Sequence, residues 1–196
     1  WDTRASLQYE HEEGDFVGRH DNTWKADWQN SYKFNKMFTL NLGLNLVNSN
    51  RHSSQISYSD LANIAPYEML LNEEGSYATN WSASYNSHVL STLYDWSGFG
   101  YHDMSYNLLQ EARNRRNRIN NTQMRTQVGL QVNIIDGLQF NSKFKYETSR
   151  YTNTDFNSEQ SFYVRNKVNY YTPVDDDLQP TGSSAIPMGA ISSTSK

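Results

Sequence analysis

The sequence predicts an all-β fold built from long antiparallel strands, and three observations carry that expectation. Apolar and polar residues alternate at period two in five segments, the side-chain rhythm of a strand. Short Asn, Asp and Gly turns join segments at one end, whereas the connections at the other end are long. The 196-residue chain is polar, with 36% hydrophobic residues and a mean hydropathy of -0.84, yet it carries 14 Tyr, 8 Phe and 5 Trp. Disorder goes with few aromatics, so this composition points to folded structure.

The first expected strand covers 1–10, with Trp1, Thr3, Ala5, Leu7 and Tyr9 on one face and Asp2, Arg4, Ser6, Gln8 and Glu10 on the other. The second, about 23–34, places Trp24, Ala26, Trp28, Tyr32 and Phe34 against Lys25, Asp27, Gln29 and Lys33. The third, 38–47, alternates Phe38, Leu40, Leu42, Leu44 and Leu46 with Thr39, Asn41, Gly43 and Asn45. The fourth, 122–134, sets Met124, Val128, Leu130, Val132 and Ile134 against Gln123, Arg125, Gln127 and Gln131. The fifth, 138–149, sets Leu138, Phe140, Phe144 and Tyr146 against Gln139, Lys143, Lys145 and Glu147. No charged residue falls on an apolar face in any of the five.

Asn35-Lys36 and Asp136-Gly137 read as tight hairpin turns, Asp-Gly suiting the positive φ of a type I′ turn. The other connections are expected at 11–22, 48–121 and 150–196. Such lengths are uncommon in compact domains and usually functional or disordered. Within 48–121 the sequence predicts a helical turn after Pro66, a turn at Gly75, and a small aromatic core. "SFYVRNKVNYY" alternates in part, at Phe162, Val164, Val168 and Tyr170, and reads as extended chain.

Half-buried sheets of soluble sandwiches also alternate. Three features favour a membrane. Segments of ten to twelve residues exceed the usual ~5–6 and match the ~9–11 that cross a bilayer at a tilt. The non-apolar face is fully hydrophilic, as a water-filled or plugged lumen requires. Short turns at one end and long loops at the other match outer-membrane barrels. Tyr9, Trp24, Trp28, Tyr32 and Tyr146 suit interfacial aromatic belts. In this reading Phe38, Leu40, Leu42, Leu44, Leu46, Val128, Leu130 and Val132 face lipid, and the asparagine face meets water or a plug. The alternative is a soluble or surface β-sandwich adhesin or glycan-binding module.

Five strands cannot close a barrel, for which about eight is the smallest usual number. The chain also begins at Trp1 rather than Met. Both lead to the expectation of a partial barrel belonging to a larger chain.

Composition narrows function further. The net charge of -4 argues against nucleic-acid binding by bulk electrostatics. The absence of Cys excludes disulfides and thiolate metal sites. The five histidines, His11, His20, His52, His88 and His102, lie apart, with no metal-ligand spacing. No catalytic constellation is present, so no enzyme, cofactor or metal centre is expected. The run Asp175, Asp176, Asp177 offers hard oxygens suited to Ca²⁺, although a solvated acidic loop has the same composition.

Several stretches, in order, resemble a known family: "DLANIAPYEMLLNEEGSYA", "YDWSGFG", "SYNLLQEARNRRNRINNTQMRTQVGLQVNIIDGLQFNSKFKYE", "SFYVRNKVNYYT" and "IPMGAI". Together they are similar to the SusC/RagA branch of TonB-dependent outer-membrane receptors of Bacteroidetes, over about 60–196. Leu108 stands where the family often has Pro, and Met188 and Ala190 depart from its "PKGG".

The resemblance implies a barrel of about 22 strands around a plug, the plug being absent from this chain. It implies nutrient uptake: import of glycans or oligopeptides with a SusD-like surface lipoprotein as lid. The TonB system would supply energy through the missing plug, and the long loops would be extracellular. Trp81, Tyr85, Trp96, Phe99 and Tyr101 are candidate substrate contacts, since aromatics offer rigid contact area with a polar handle. The same side chains suit a loop core. Arg113, Arg115, Arg116 and Arg118 pack four guanidinium groups into six residues, suited to lipopolysaccharide phosphates, the lid, or plug carboxylates.

Overall fold

The computed structural model describes residues 1–16, 18–83, 102–176 and 181–196. Six strands lie in one antiparallel sheet, in the order β1-β2-β3-β4-β5-β6. They are β1 (Asp2–Glu13), β2 (His20–Lys33), β3 (Phe38–Ser54), β4 (Arg115–Ile135), β5 (Leu138–Asn157) and β6 (Ile191–Ser195). Among the described residues three helices sit beyond the strand ends: α1 (Tyr58–Ala62), α2 (Leu108–Asn114) and α3 (Phe162–Tyr170).

The strands are longer than the alternation predicts. β3, β4 and β5 have 17, 21 and 20 residues. Their extensions, 48–54, 115–121 and 150–157, are rich in Asn, Ser, Thr and Arg, so polarity on both faces hides the period. The expected loops 48–121 and 150–196 are therefore corrected: each begins or ends in strand and contains helix. The sixth strand, five residues long, pairs with the end of β5.

The turn at 136–137 is as tight as expected, with Ile135 opposite Leu138 and Gly137 at φ 83°, a conformation that favours glycine. The other hairpin spans four residues, 34–37, rather than two. Asn35 closes it, its Oδ1 accepting from the Met37 and Phe38 amides at 2.8 Å each. Such an Asx turn uses a side chain in place of a backbone carbonyl.

The largest correction concerns 162–170, expected as extended chain and found as α3. Ser161 caps it, accepting from the Val164 amide at 3.3 Å. Val164 and Val168, four residues apart, are both buried, 0% and 3% exposed. Helical spacing of i and i+4 won over the partial alternation.

The buried hydrophobic residues lie beyond the sheet, at the long-loop end. Ile56, Tyr106 and Leu108 form a small cluster with Ile64, Leu70, Ala112 and Phe162 packed against it. The sheet faces stay open: Leu44, Val128 and Phe144 are 39%, 37% and 68% exposed.

Candidate functional site

Two surfaces and one junction are the candidate machinery. The register defines the surfaces. Residues directly opposite in an antiparallel pair point to the same side. Leu7 pairs with Ala26, Ala26 with Leu46, Leu46 with Met124, and Met124 with Thr148. Two residues along, Ala5, Trp28, Leu44, Thr126 and Tyr146 form the next row. Asn30, Leu42, Val128 and Phe144 follow, then Tyr32, Leu40, Leu130 and Ser142, then Phe38, Val132 and Phe140. The five alternating segments thus share one apolar face with no slip between them. Every residue expected to face lipid, from Phe38 to Leu46 and from Val128 to Val132, lies on it. An aromatic pair, Tyr9 and Trp24, rings 4.6 Å apart, marks its long-loop border.

The opposite face is polar and internally paired. Lys25 donates to both Glu10 oxygens at 2.8 Å. The Arg51 guanidinium meets Asp21 at 2.9 Å, and Arg125 and Lys145 both bind Glu147. Asn45 donates to Asp27 at 3.1 Å. Gly43 makes room here for Gln127, whose side chain folds to 2.8 Å from where a Cβ would stand. Beside it runs a groove of about 430 Å³ whose lining includes Arg4, Gln29, Asn41, Gln131 and Lys143.

The junction stitches three loop segments over the ends of β3, β4 and β5. Asn107 caps α2, accepting from the Gln110 amide at 3.0 Å, while its amide nitrogen donates to the Leu70 and Ala78 carbonyls. Asn80, 0% exposed, donates to Met69 O at 3.2 Å and accepts from the Leu108 amide at 3.0 Å. Leu108 is the first residue of α2, a position that tolerates Pro. In this chain Leu supplies an N–H there that Pro lacks, and Asn80 uses it. Glu111 accepts from the Phe162 amide at 2.6 Å. Arg165 donates to Asp103 O at 2.6 Å and Ser105 O at 2.8 Å, and pairs with the Asp103 carboxylate at 3.0 Å. Asn169 both donates to His102 O, at 2.7 Å, and accepts from the His102 amide, at 2.8 Å.

Three titrations of the junction follow from this geometry. Burial pushes the Glu111 carboxyl above its ordinary value, against the pull of the Phe162 amide, Arg115 and Arg165. Burial also works to raise Asp103, but hydrogen bonds from Ser105 and the Arg165 guanidinium outweigh it and hold that carboxyl low. Burial, with the nearby Asp60 and Glu111 carboxylates, pushes the Tyr106 phenol up to about 12 against Arg115. Its ring packs edge-on against Phe162, centroids 5.5 Å apart.

The arginine run is split by the strand it enters. Arg113, on α2, donates to the Tyr77 hydroxyl at 2.6 Å. Arg115 points to the polar face and donates to Asn157 at 3.3 Å. Arg116 and Arg118 stand on the apolar side of β4, opposite Phe156 and Thr154. Of the candidate substrate aromatics, Trp81 is exposed, while Tyr85, Trp96, Phe99 and Tyr101 lie outside the described residues. In the acidic run Asp175 and Asp176 are exposed and Asp177 lies outside the described residues. Among the described residues no group of three or more His, Asp or Glu is placed to hold a metal ion. No described helix is long and apolar enough to cross a membrane, which says nothing of spanning by strands.

Sequence reasoning missed the junction residues Asn80, Asn107, Glu111, Arg165 and Asn169. Two signals mark part of it. "NLLQ" is an Asn N-cap with Gln at the third helical position, and "SFYV" offers a Ser N-cap. No model of a known protein family matches the chain, and no curated protein matches it either.

Proposed function

We propose that this chain is part of the wall of a transmembrane β-barrel in a bacterial outer membrane, with the long-loop end extracellular. The observation that carries this reading is the apolar face, continuous in register across five strands and uncovered among the described residues. Hydrocarbon supplies no hydrogen bonds, so a spanning sheet must pair its backbone between strands and turn its apolar side chains outward. From Trp24 to Tyr32 the face runs about 26 Å along the strand at ~3.3 Å per residue. At a ~40° tilt that is roughly 20 Å of membrane normal, near the ~25 Å apolar band of outer-membrane barrels. The polar face, with its paired charges and open groove, suits a lumen or a plug. Among the described residues the sheet has free edges at β1 and along the first part of β5, where further strands would continue it.

Within that class we favour a TonB-dependent nutrient transporter of the SusC/RagA kind, importing glycans or oligopeptides under a SusD-like lid. The ordered set of motifs supports this, and the role of those motifs adds to it: the "YNLLQEARN" and "SFYVRN" stretches meet at the Glu111–Phe162 junction. The chain acts as wall and loop scaffold, with no catalytic role. The β-sandwich alternative requires a second layer over the leucines, and the six described strands form one sheet.

Spin labels on single cysteines separate the two, since the chain has no native Cys. Labels at 42, 44 and 128 of the membrane-assembled protein are expected to collide with dissolved oxygen more than with a water-soluble nickel chelate. Labels at 41, 45 and 127 are expected to show the reverse. Shielding of 42 and 44 from both reagents would indicate a packed second layer and overturn the wall reading.

A further inference from the structure

From the Tyr9–Trp24 row, which ends on Arg150, to the long-loop end the sheet sorts its charges by face. On the polar face this upper zone holds Glu10, Glu12, Asp21 and Asp155, with Arg51 and Lys25 paired to two of them. On the apolar side the same zone holds Arg116 and Arg118 of β4 and Arg150 of β5, all exposed. His52 lies opposite Arg118, and His20 opposite His52, their rings stacked 4.7 Å apart. Among the described strand residues its one carboxylate is Glu13, at the far edge on β1 and 3.8 Å from His11. Among the described residues no carboxylate lies within ion-pair distance of Arg118 or Arg150.

Hydroxyls and amides fill the row of Arg150 and the row between it and Arg118. Asn48 donates to Thr122 at 2.8 Å, Asn50 to Asn48 at 2.8 Å, and Tyr9 to Asn22 at 2.8 Å. Arg150 stands opposite Thr122, and Asn120 and Thr152 pair in the row between the two arginines. At the turn end the apolar side has no such zone: Tyr32, Leu40, Leu130 and Phe38, Val132, Phe140 run to the hairpins without a charged side chain.

We infer that the apolar side of the sheet carries, at its long-loop border, a binding surface for the phosphate groups of lipid headgroups, centred on Arg118 and Arg150. This rests on the wall reading above. Guanidinium offers bidentate donors to phosphate oxygens, and an arginine at the edge of hydrocarbon without a protein anion is satisfied best by an anion from the membrane. The amide and hydroxyl rows supply secondary donors at headgroup depth. One-sidedness fits one leaflet: the cations stand at the long-loop border only.

The test uses the membrane-assembled protein in nanodiscs of phosphatidylcholine doped with phosphatidylglycerol. Two signals are read together: the anionic share of lipid retained around the protein, and quenching of Trp28 fluorescence by chain-brominated lipid, taken as the difference from a Trp28→Phe variant. The wild type is expected to enrich phosphatidylglycerol over its bulk share, less so at high salt. The Arg118→Gln/Arg150→Gln variant is expected to lose enrichment by roughly fivefold per arginine. Arg51→Gln/Arg125→Gln, the same charge change on the other face, is expected to leave enrichment unaltered. Trp28 quenching without anionic enrichment, or with equal enrichment in the double variant, overturns the headgroup surface and leaves the wall standing. Absence of quenching overturns the wall and the headgroup surface with it. Heat-modifiable gel mobility of each variant verifies assembly.

Discussion

Glu111 of α2 accepts the Phe162 backbone amide at 2.6 Å, joining helices 51 residues apart in sequence. Phe162 is the first residue of α3, so its N–H is one of the four amides a helix leaves without an intrahelical partner. A carboxylate there also opposes the positive end of the helix. Glu111 is 1% exposed, and its second oxygen accepts no hydrogen bond from the described residues. The Glu111 contact between α2 and α3 therefore rests on one bond and carries a desolvated carboxyl.

Glu111→Ala leaves the part-buried Phe162 amide without this acceptor and is expected to cost about 1–3 kcal/mol. Glu111→Gln keeps an acceptor oxygen and removes the ionisation. The folded carboxyl titrates above its ordinary 4.5, so the folded state holds the proton more tightly there. Its contribution is complete below about that pH and declines as pH rises through the raised folded value. Amide hydrogen exchange at Phe162 should show this decline in the wild type and a flatter profile in the Gln variant.

Arg165→Ala removes three donated bonds from the 102–105 segment, and bonds to charged groups are worth about 1.5–3 kcal/mol each. Faster proteolysis at 102–107 is expected, with Arg116→Ala near wild type because Arg116 is exposed and, among the described residues, its side chain donates only to Arg113 O. The Asp103 carboxyl is held below its ordinary 3.8, so its share of this clamp is present above that pH and is lost as pH falls through the folded value. Protection of 102–107 should therefore weaken in acid.

Leu42→Arg places a charge on the apolar face between Asn30 and Val128. At the membrane midplane such a change costs about 2–4 kcal/mol. Asn41→Arg, one residue away on the polar face, is expected to be nearly neutral. Unfolding from lipid vesicles by denaturant measures both, and equal effects would contradict opposite environments for the two positions.

Gly137→Val puts a β-branched side chain at φ 83° in the turn between β4 and β5. The left-handed region costs an ordinary residue roughly 1–2 kcal/mol, and slower assembly of this hairpin is the expected readout in refolding. Gly43→Val acts differently: it displaces the Gln127 side chain on the polar face without backbone strain.

The five strands were legible because the β rhythm is local. Trp24, Trp28 and the leucines from Leu40 to Leu46 declare a face without reference to any other segment. The extensions were not legible, because Asn48–Ser54 and Arg115–Asn121 are polar on both faces and alternation there has no contrast. α3 was misread because Phe162, Val164 and Val168 satisfy period two and i, i+4 at once. Its Ser161 cap and the burial of both valines decided for helix. The junction could not be read from local pattern, since Asn80 with Leu108 and Arg165 with Asp103 are pairings across 28 and 62 residues.

Alternation by itself determined that this protein would be a sheet with one oily and one wet side, because successive side chains of any extended backbone point opposite ways. Only the tertiary structure decided that all five oily sides coincide. It also decided that α2 and α3 lock through Glu111. The first outcome depends on register, which a one-residue slip in any pairing would have reversed, and the second on loops meeting at a distance.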